Sequence, residues 1–537
     1  MTQMSDPTST PRSAGRAADT RPALDPKPEG FRQSMAWLHT WSGLLLGWVL
    51  FAMFLTGTLA FFRPEITTWM KPDVHTRAVS AVQSADVAER YLSARAAGAK
   101  QWFITLASPR APVVAINYQD PKAPPGRGAF RRANLDPETG ETLRARETRG
   151  GDFFYRFHFD LEMGYPWGRW LASIAGMFML IAIISGVITH KKIFSEFFTF
   201  RPKKGGQRAW MDGHNALSVL GLPFHLMITF SGVVLFAAML MPAGISAAYD
   251  SQREYFDDVF PSTAQGPANA QPATLVKLSG IVAAAQAQWP DGQIGRLVVN
   301  HPGDSASTVV VTASQSDRIS YGRLAPSLTY SGVTGELISQ ADEESAARVT
   351  LGTLIGLHLG LFAEPVLRWL YFLVSLAGTA MVATGLVLWV KKRRQKAGKH
   401  AANRLSLRLV DGLNAGTVVG VTLGTALFFL ANRLIDADMP GRSAWEVRAF
   451  LLAWLLSTLY AFVRPRTAWR DLTLAAAVCF TALPVVNALT TERHFFASFA
   501  AKDWVFVGFD LTVLATGVVL FWLARRLSRP TSMRSAS

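Results

Sequence analysis

The chain has 537 residues, half of them hydrophobic, and a formal charge of +16. Several apolar runs reach the ~20 residues that cross a bilayer, and the Lys and Arg residues gather in short loops beside them, a positive-inside pattern that excludes nucleic acid as the explanation of the charge. A single cysteine, Cys479, excludes an internal disulfide, cysteine-ligated iron–sulfur clusters, Cys-type zinc sites and a C-x-x-C-H haem attachment.

Residues 1–30, rich in Pro, Ser, Thr, Ala and Arg, read as a disordered cytoplasmic tail. The first span (31–64) contains MAWLHTWSGLLLGWVLFAMFLTGTLAFF, too long for the apolar core of a cleaved signal and so retained. His39 lies about one turn inside its cytoplasmic end. A soluble insertion (65–157) follows, with helical periodicity over 81–97 and strand-like runs over 102–106, 113–118, 129–135 and 142–146. NLDPETGET supplies its hairpin turn. His158 opens the second span (158–190), which ends at His190. A basic loop (191–211) carries Lys191, Lys192, Arg201, Lys203, Lys204 and Arg208. The third span (212–242) carries His214 and His225. A second insertion (243–350) has a helix over 274–289 and strands over 295–300, 307–313, 327–330 and 336–339 around the turn SGVTGEL. His358 opens the fourth span (351–390). A second basic loop (391–410) holds no acid, four further spans occupy 411–524, and a basic cytoplasmic tail (525–537) ends the chain. The expected fold is an all-α membrane bundle of about eight spans with both termini cytoplasmic, carrying two small α+β periplasmic insertions.

The first four spans form a parallel two-span repeat. His39 matches His214 and His158 matches His358. Arg169-Trp170-Leu171 matches Arg368-Trp369-Leu370, and Ser185-Gly186 matches Thr384-Gly385. Ionisable residues within spans are rare and default to function. Six histidines (His39, His158, His190, His214, His225 and His358) fall in two layers, and imidazole is an ordinary axial ligand of haem iron. Two bis-histidine haems need four of them. One pairing follows the repeat: His39 with His214 on the inner side, His158 with His358 on the outer. The other rests on His214 and His225, which on a straight helix project from one face ~16 Å apart and would serve two stacked haems. Both pairings stand at this point. His190 is either an inner ligand or an interfacial residue beside Lys191 and Lys192. Arg169 and Arg368 are either interfacial anchors or partners for haem propionates, which arginine holds bidentately. With no attachment cysteines, the haem would be of b type, two per chain. No dinucleotide-binding, P-loop, H-E-x-x-H or G-x-S-x-G motif is present, so electrons would come from quinol or a separate cytoplasmic reductase.

Leu38-His39-Thr40-Trp41-Ser42-Gly43 in the first span and Thr384-Gly385-Leu386-Val387-Leu388-Trp389 at the end of the fourth resemble the PepSY-associated transmembrane family. The likeness covers about residues 31–395, and the stretch from SGVITHKKIF to LPFHLMITFSG is similar to its iron-uptake subgroup, which includes siderophore reductases. The resemblance implies PepSY modules between the spans, haem b, a bacterial inner membrane and reduction of a ferric siderophore on the periplasmic side. The rival readings are a regulatory protein whose PepSY-like modules restrain a protease, and a transporter. Against the transporter, the spans are expected to lack paired Gly/Pro breaks. The last four spans exceed the family pattern, and their expected role is structural or partner-binding.

Overall fold

The computed structural model describes residues 30–120, 123, 129–190, 206–259, 267–322, 324–341, 345–398 and 404–528. Both tails, residues 191–205 of the first basic loop and His400 lie outside the described residues.

The first span is two helices, α1 (Phe31–Leu45) and α2 (Gly47–Ala60), bent by 66° at their junction. Helix α3 (Arg63–Trp69) follows, with Pro64 in its first turn, where a missing N–H costs nothing. The first insertion is α4 (Ala81–Arg95) and strands β1 (Gln101–Thr105), β2 (Val114–Gln119) and β3 (Phe130–Leu135). The run expected as a strand over 142–146 forms only an isolated bridge, Leu135 to Thr142. It is instead a strap, tied down by Arg146, which grips Asp73 at 2.7 Å. His158 does not open the second span. It lies on a separate helix, α5 (Gly150–Asp160), stopped by Leu161 in the left-handed region (φ 54°). The span itself is α6 (Trp167–Thr189).

The third span is also broken. Helices α7 (Gly206–Leu220) and α8 (Leu222–Leu235) meet at Gly221 with a bend of 68°. Pro223 in the first turn of α8 lacks the N–H needed to continue the preceding turn. His214 and His225 therefore do not share a straight helix, and the in-line geometry drawn from their spacing is overturned. So is the expectation of unbroken spans: the breaks fall at matching places in the two halves. The second insertion contains α9 (Leu278–Gln288), β4 (Ile294–Asn300), β5 (Thr308–Ala313), β6 (Ser327–Ser331) and β7 (Leu337–Ala341). Helix α10 (Ala346–Leu359) carries His358 and stops at Gly360 in the left-handed region (φ 60°), before α11 (Pro365–Ala397).

The two insertions do not form two sheets. They join edge to edge in one seven-stranded antiparallel sheet, β3-β2-β1-β4-β5-β6-β7. The seam pairs Trp102 with Val299 and Ile104 with Leu297. Helices α4 and α9 cover one face, and Trp102, Ile104, Leu297, Val299, Leu92 and Val282 share a single buried core there. Joining the insertions removes one exposed edge from each, leaving β3 and β7 as the edges of the joined sheet.

The remaining spans are α12 (Leu405–Leu434), α13 (Arg442–Val463), α14 (Ala468–Thr490) and α15 (Trp504–Ser528). Among the described residues six helices are long and apolar enough to cross a membrane, and counting each bent pair as one span raises the number to eight. Helix α12 is the centre of the C-terminal group. Its glycines 412, 416, 420 and 424 form a stripe on which α13 lies: Gly416 faces Thr458, Gly420 faces Ser457 and Gly424 faces Phe450. Small residues at every fourth position allow such close approach between helices in a membrane.

Candidate functional site

Four histidines are held in the same way. His39 on α1 donates from Nδ1 to the carbonyl of Ala182 on α6 at 2.8 Å. His158 on α5 donates to Met53 on α2 at 2.7 Å. His214 on α7 donates to Met381 on α11 at 3.0 Å, and His358 on α10 to Ile228 on α8 at 2.9 Å. A carbonyl only accepts, so in each ring the proton sits on Nδ1 and the lone pair on Nε2.

Each docking place has one design. Three residues beyond the carbonyl stands a Ser or Thr whose hydroxyl also bonds that carbonyl: Ser185, Thr56, Thr384 and Ser231. The next residue is glycine. A Cβ at Gly57 would lie 2.7 Å from the His158 ring, at Gly232 2.7 Å from His358, at Gly186 3.1 Å from His39 and at Gly385 3.2 Å from His214. The glycine is what lets the imidazole lie flat on the neighbouring helix. The repeat analysis found two of these Ser/Thr-Gly pairs and missed Thr56-Gly57 and Ser231-Gly232. Their signal was available, since both stand at the same distance after His39 and His214.

Every histidine docks within its own half and then faces a histidine of the other half. The ring centres of His39 and His214 are 6.3 Å apart, and those of His158 and His358 are 6.0 Å apart. A metal bound by two opposed imidazoles at about 2.0–2.1 Å per nitrogen would hold the ring centres about 6.3 Å apart. The four rings are enclosed by helices yet keep accessible surface, and among the described residues their Nε2 atoms take no hydrogen bond. Each half thus supplies one free lone pair to each of two sites. Among the described residues no three His, Cys, Asp or Glu side chains cluster as a metal site.

The other candidates fall elsewhere. His225 is 1% exposed. Its Nε2 reaches the carbonyl of Val374 at 3.3 Å, its Nδ1 is buried without a partner, and among the described residues no second imidazole faces it. Its counterpart in the first half is Leu50, also buried. His190 caps the C-terminus of α6, near enough to His39 and His214 to interact with both electrostatically. Arg169 lies over the rings of Phe159 and Tyr165, an anchoring arrangement. Arg368 is buried and already engaged: it donates to Glu65 at 3.2 Å and to the carbonyl of Ala363 at 2.7 Å, although its Nε has no partner. Glu65 is also clasped by Arg110 through two bonds.

The family profile described as the PepSY-associated TM region matches residues 36–392. The chain belongs to the PepSY-associated transmembrane family. An uncharacterized protein of Pseudomonas aeruginosa is 24% identical over 415 residues, covering 71% of this chain and 96% of the relative. The PepSY-associated region contains both ring pairs and all four docking places. It stops short of α12, so the C-terminal helices are an addition to it.

Proposed function

We propose that this PepSY-associated protein is a di-haem membrane oxidoreductase. His39 and His214 ligate one haem b, and His158 and His358 ligate the other. The observation that carries the reading is the fourfold docking: four imidazoles, each with its N–H tied to a carbonyl and its lone pair free, set in two facing pairs. Such outer bonds fix ring orientation and raise the basicity of the ligating nitrogen. Bound haem supplies one-electron carriage, with a potential set by bis-histidine ligation and burial. The protein's part is to hold the rings opposed, exclude water, and stack the two sites between the basic-loop face and the sheet-bearing face.

In this reading the protein sits in a bacterial inner membrane with both termini cytoplasmic. Quinol or a cytoplasmic reductase supplies the electrons, and the acceptor is a ferric chelate, a ferric siderophore by resemblance, on the periplasmic, sheet-bearing side. The paired breaks at Leu46 and Gly221 favour a second reading, a transporter, because discontinuous spans at matching places mark ligand paths. One measurement separates the two. A pyridine haemochrome assay of the purified protein is expected to give two b-type haems per chain, and dithionite-reduced protein in oriented proteoliposomes is expected to be reoxidised by ferric siderophore from the sheet-bearing side. Absence of haem overturns the redox reading.

A further inference from the structure

Of the two matching helices that carry His158 and His358, the C-terminal helices pack, among the described residues, against the first. Helix α5, which carries His158, enters them through three fully buried phenylalanines. Phe153 stacks on Phe428 with ring centres 4.6 Å apart and meets Phe450 at 5.0 Å, and Phe157 meets Phe450 at 5.3 Å. The chain leading into α5 is tied to the same helices by polar bonds. Thr148 donates to the carboxylate of Glu446 at 2.6 Å, and Arg442 donates to the carbonyl of Glu147 at 2.9 Å. Glu446 is fully buried and is held by Asn432 and Arg442. The matching helix α10, which carries His358, is held by a loop of the sheet instead. Its Gly352 and Gly356 lie against the carbonyls of Ser320 and Ile319, in the loop between β5 and β6.

We infer that the C-terminal helices, through α13, position His158 and so tune the outer of the two sites. Phe450 and Glu446 are positioning residues: they touch no ligand nitrogen, but they fix where α5 stands and hence the angle at which the His158 imidazole meets the metal. The inference rests on the di-haem reading. It also assigns a task to a region that lies outside the family match, because a rigid partner on one side of a symmetric pair makes two chemically alike sites unequal, and two unequal sites give electrons a direction.

The test uses full-length protein carrying Phe450→Ala, Phe450→Leu, Thr148→Val and, as a control inside the same bundle but away from α5, Leu472→Ala. Haem count, low-spin EPR signals and potentiometric titrations are recorded, with the outer signal assigned as the one that His158→Ala removes. Phe450→Ala and Thr148→Val are expected to shift the midpoint and EPR signal of the outer haem, or convert part of it to high spin, while the inner haem stays as in the wild type. Phe450→Leu is expected to restore most of the outer signal, and Leu472→Ala to change neither. Equal shifts in both haems, or none in the outer one, overturn the inference. Where Phe450→Ala does not accumulate, Thr148→Val, which keeps the side-chain volume, decides. A wild type with two haems, one of them lost in His158→Ala, keeps the di-haem reading standing even if this inference falls; a wild type without haem removes both.

Discussion

The glycine beneath each imidazole gives the sharpest test of the docking design. A Cβ at Gly57 would stand 2.7 Å from the His158 ring, well inside van der Waals contact, and one at Gly186 would stand 3.1 Å from His39. The ring must move, and its bond to the carbonyl moves with it. Gly57→Val is therefore expected to disturb the outer haem and spare the inner, and Gly186→Val the reverse, read as haem content and spin state. If both variants keep two low-spin haems, the docking places do not set ligand geometry. His225 provides the complementary case. It is enclosed and unopposed, and Leu50 fills its place in the other half. His225→Leu is expected to leave both bis-histidine spectra unchanged; loss of either haem would restore His225 as a ligand.

Among the larger elements, the β1–β4 seam is where the backbones of the two halves are hydrogen-bonded together. Val299 is fully buried there and pairs with Trp102. Proline at a central strand removes a ladder donor and is tolerated almost only at edges. Val299→Pro is expected to lower expression and deplete both haems together, in contrast to the one-haem losses of ligand variants; depletion of a single haem would show that the seam serves only one site. Much of this architecture could be read in the residues. Short valine-rich runs placed β4 and β5 within a residue or two, and long apolar runs placed α6 and α12 to α15. The breaks were missed because α1–α2 and α7–α8 are each apolar through the junction, and hydrophobicity reports burial rather than direction. Gly221 and Pro223 were the available signal. The joined sheet was missed because strand periodicity says which face is buried and nothing about which edge finds a partner. The histidine pairing needed both the repeat and the bends: the repeat alone proposed the cross-half pairs, and only the 68° break removed the in-line alternative.

For the molecule as a whole, with each bent pair counted as one span, alternation is expected to put the basic loops and the sheet on opposite sides of the membrane. With Cys479 replaced by Ser, cysteines introduced at the exposed positions Ser316 and Lys396 are expected to react with an impermeant thiol reagent from opposite sides of intact vesicles, Ser316→Cys from the side that the reduction assay identifies. Labelling of both from one side would break the eight-span topology. The cross-half pairing also has a consequence for how the protein comes into being. His39 and His158 emerge from the ribosome long before His214 and His358, so a nascent first half holds two docked imidazoles and no complete ligand set. Neither ring pair can be completed until α10 and α11 have been made, because α10 carries His358 and α11 carries Met381, on which His214 docks. In the di-haem reading, haem loading is then expected to be a late event, gated by the last stretches of the repeat to be synthesised, and a stalled or truncated chain is expected to remain without cofactor rather than become half-loaded.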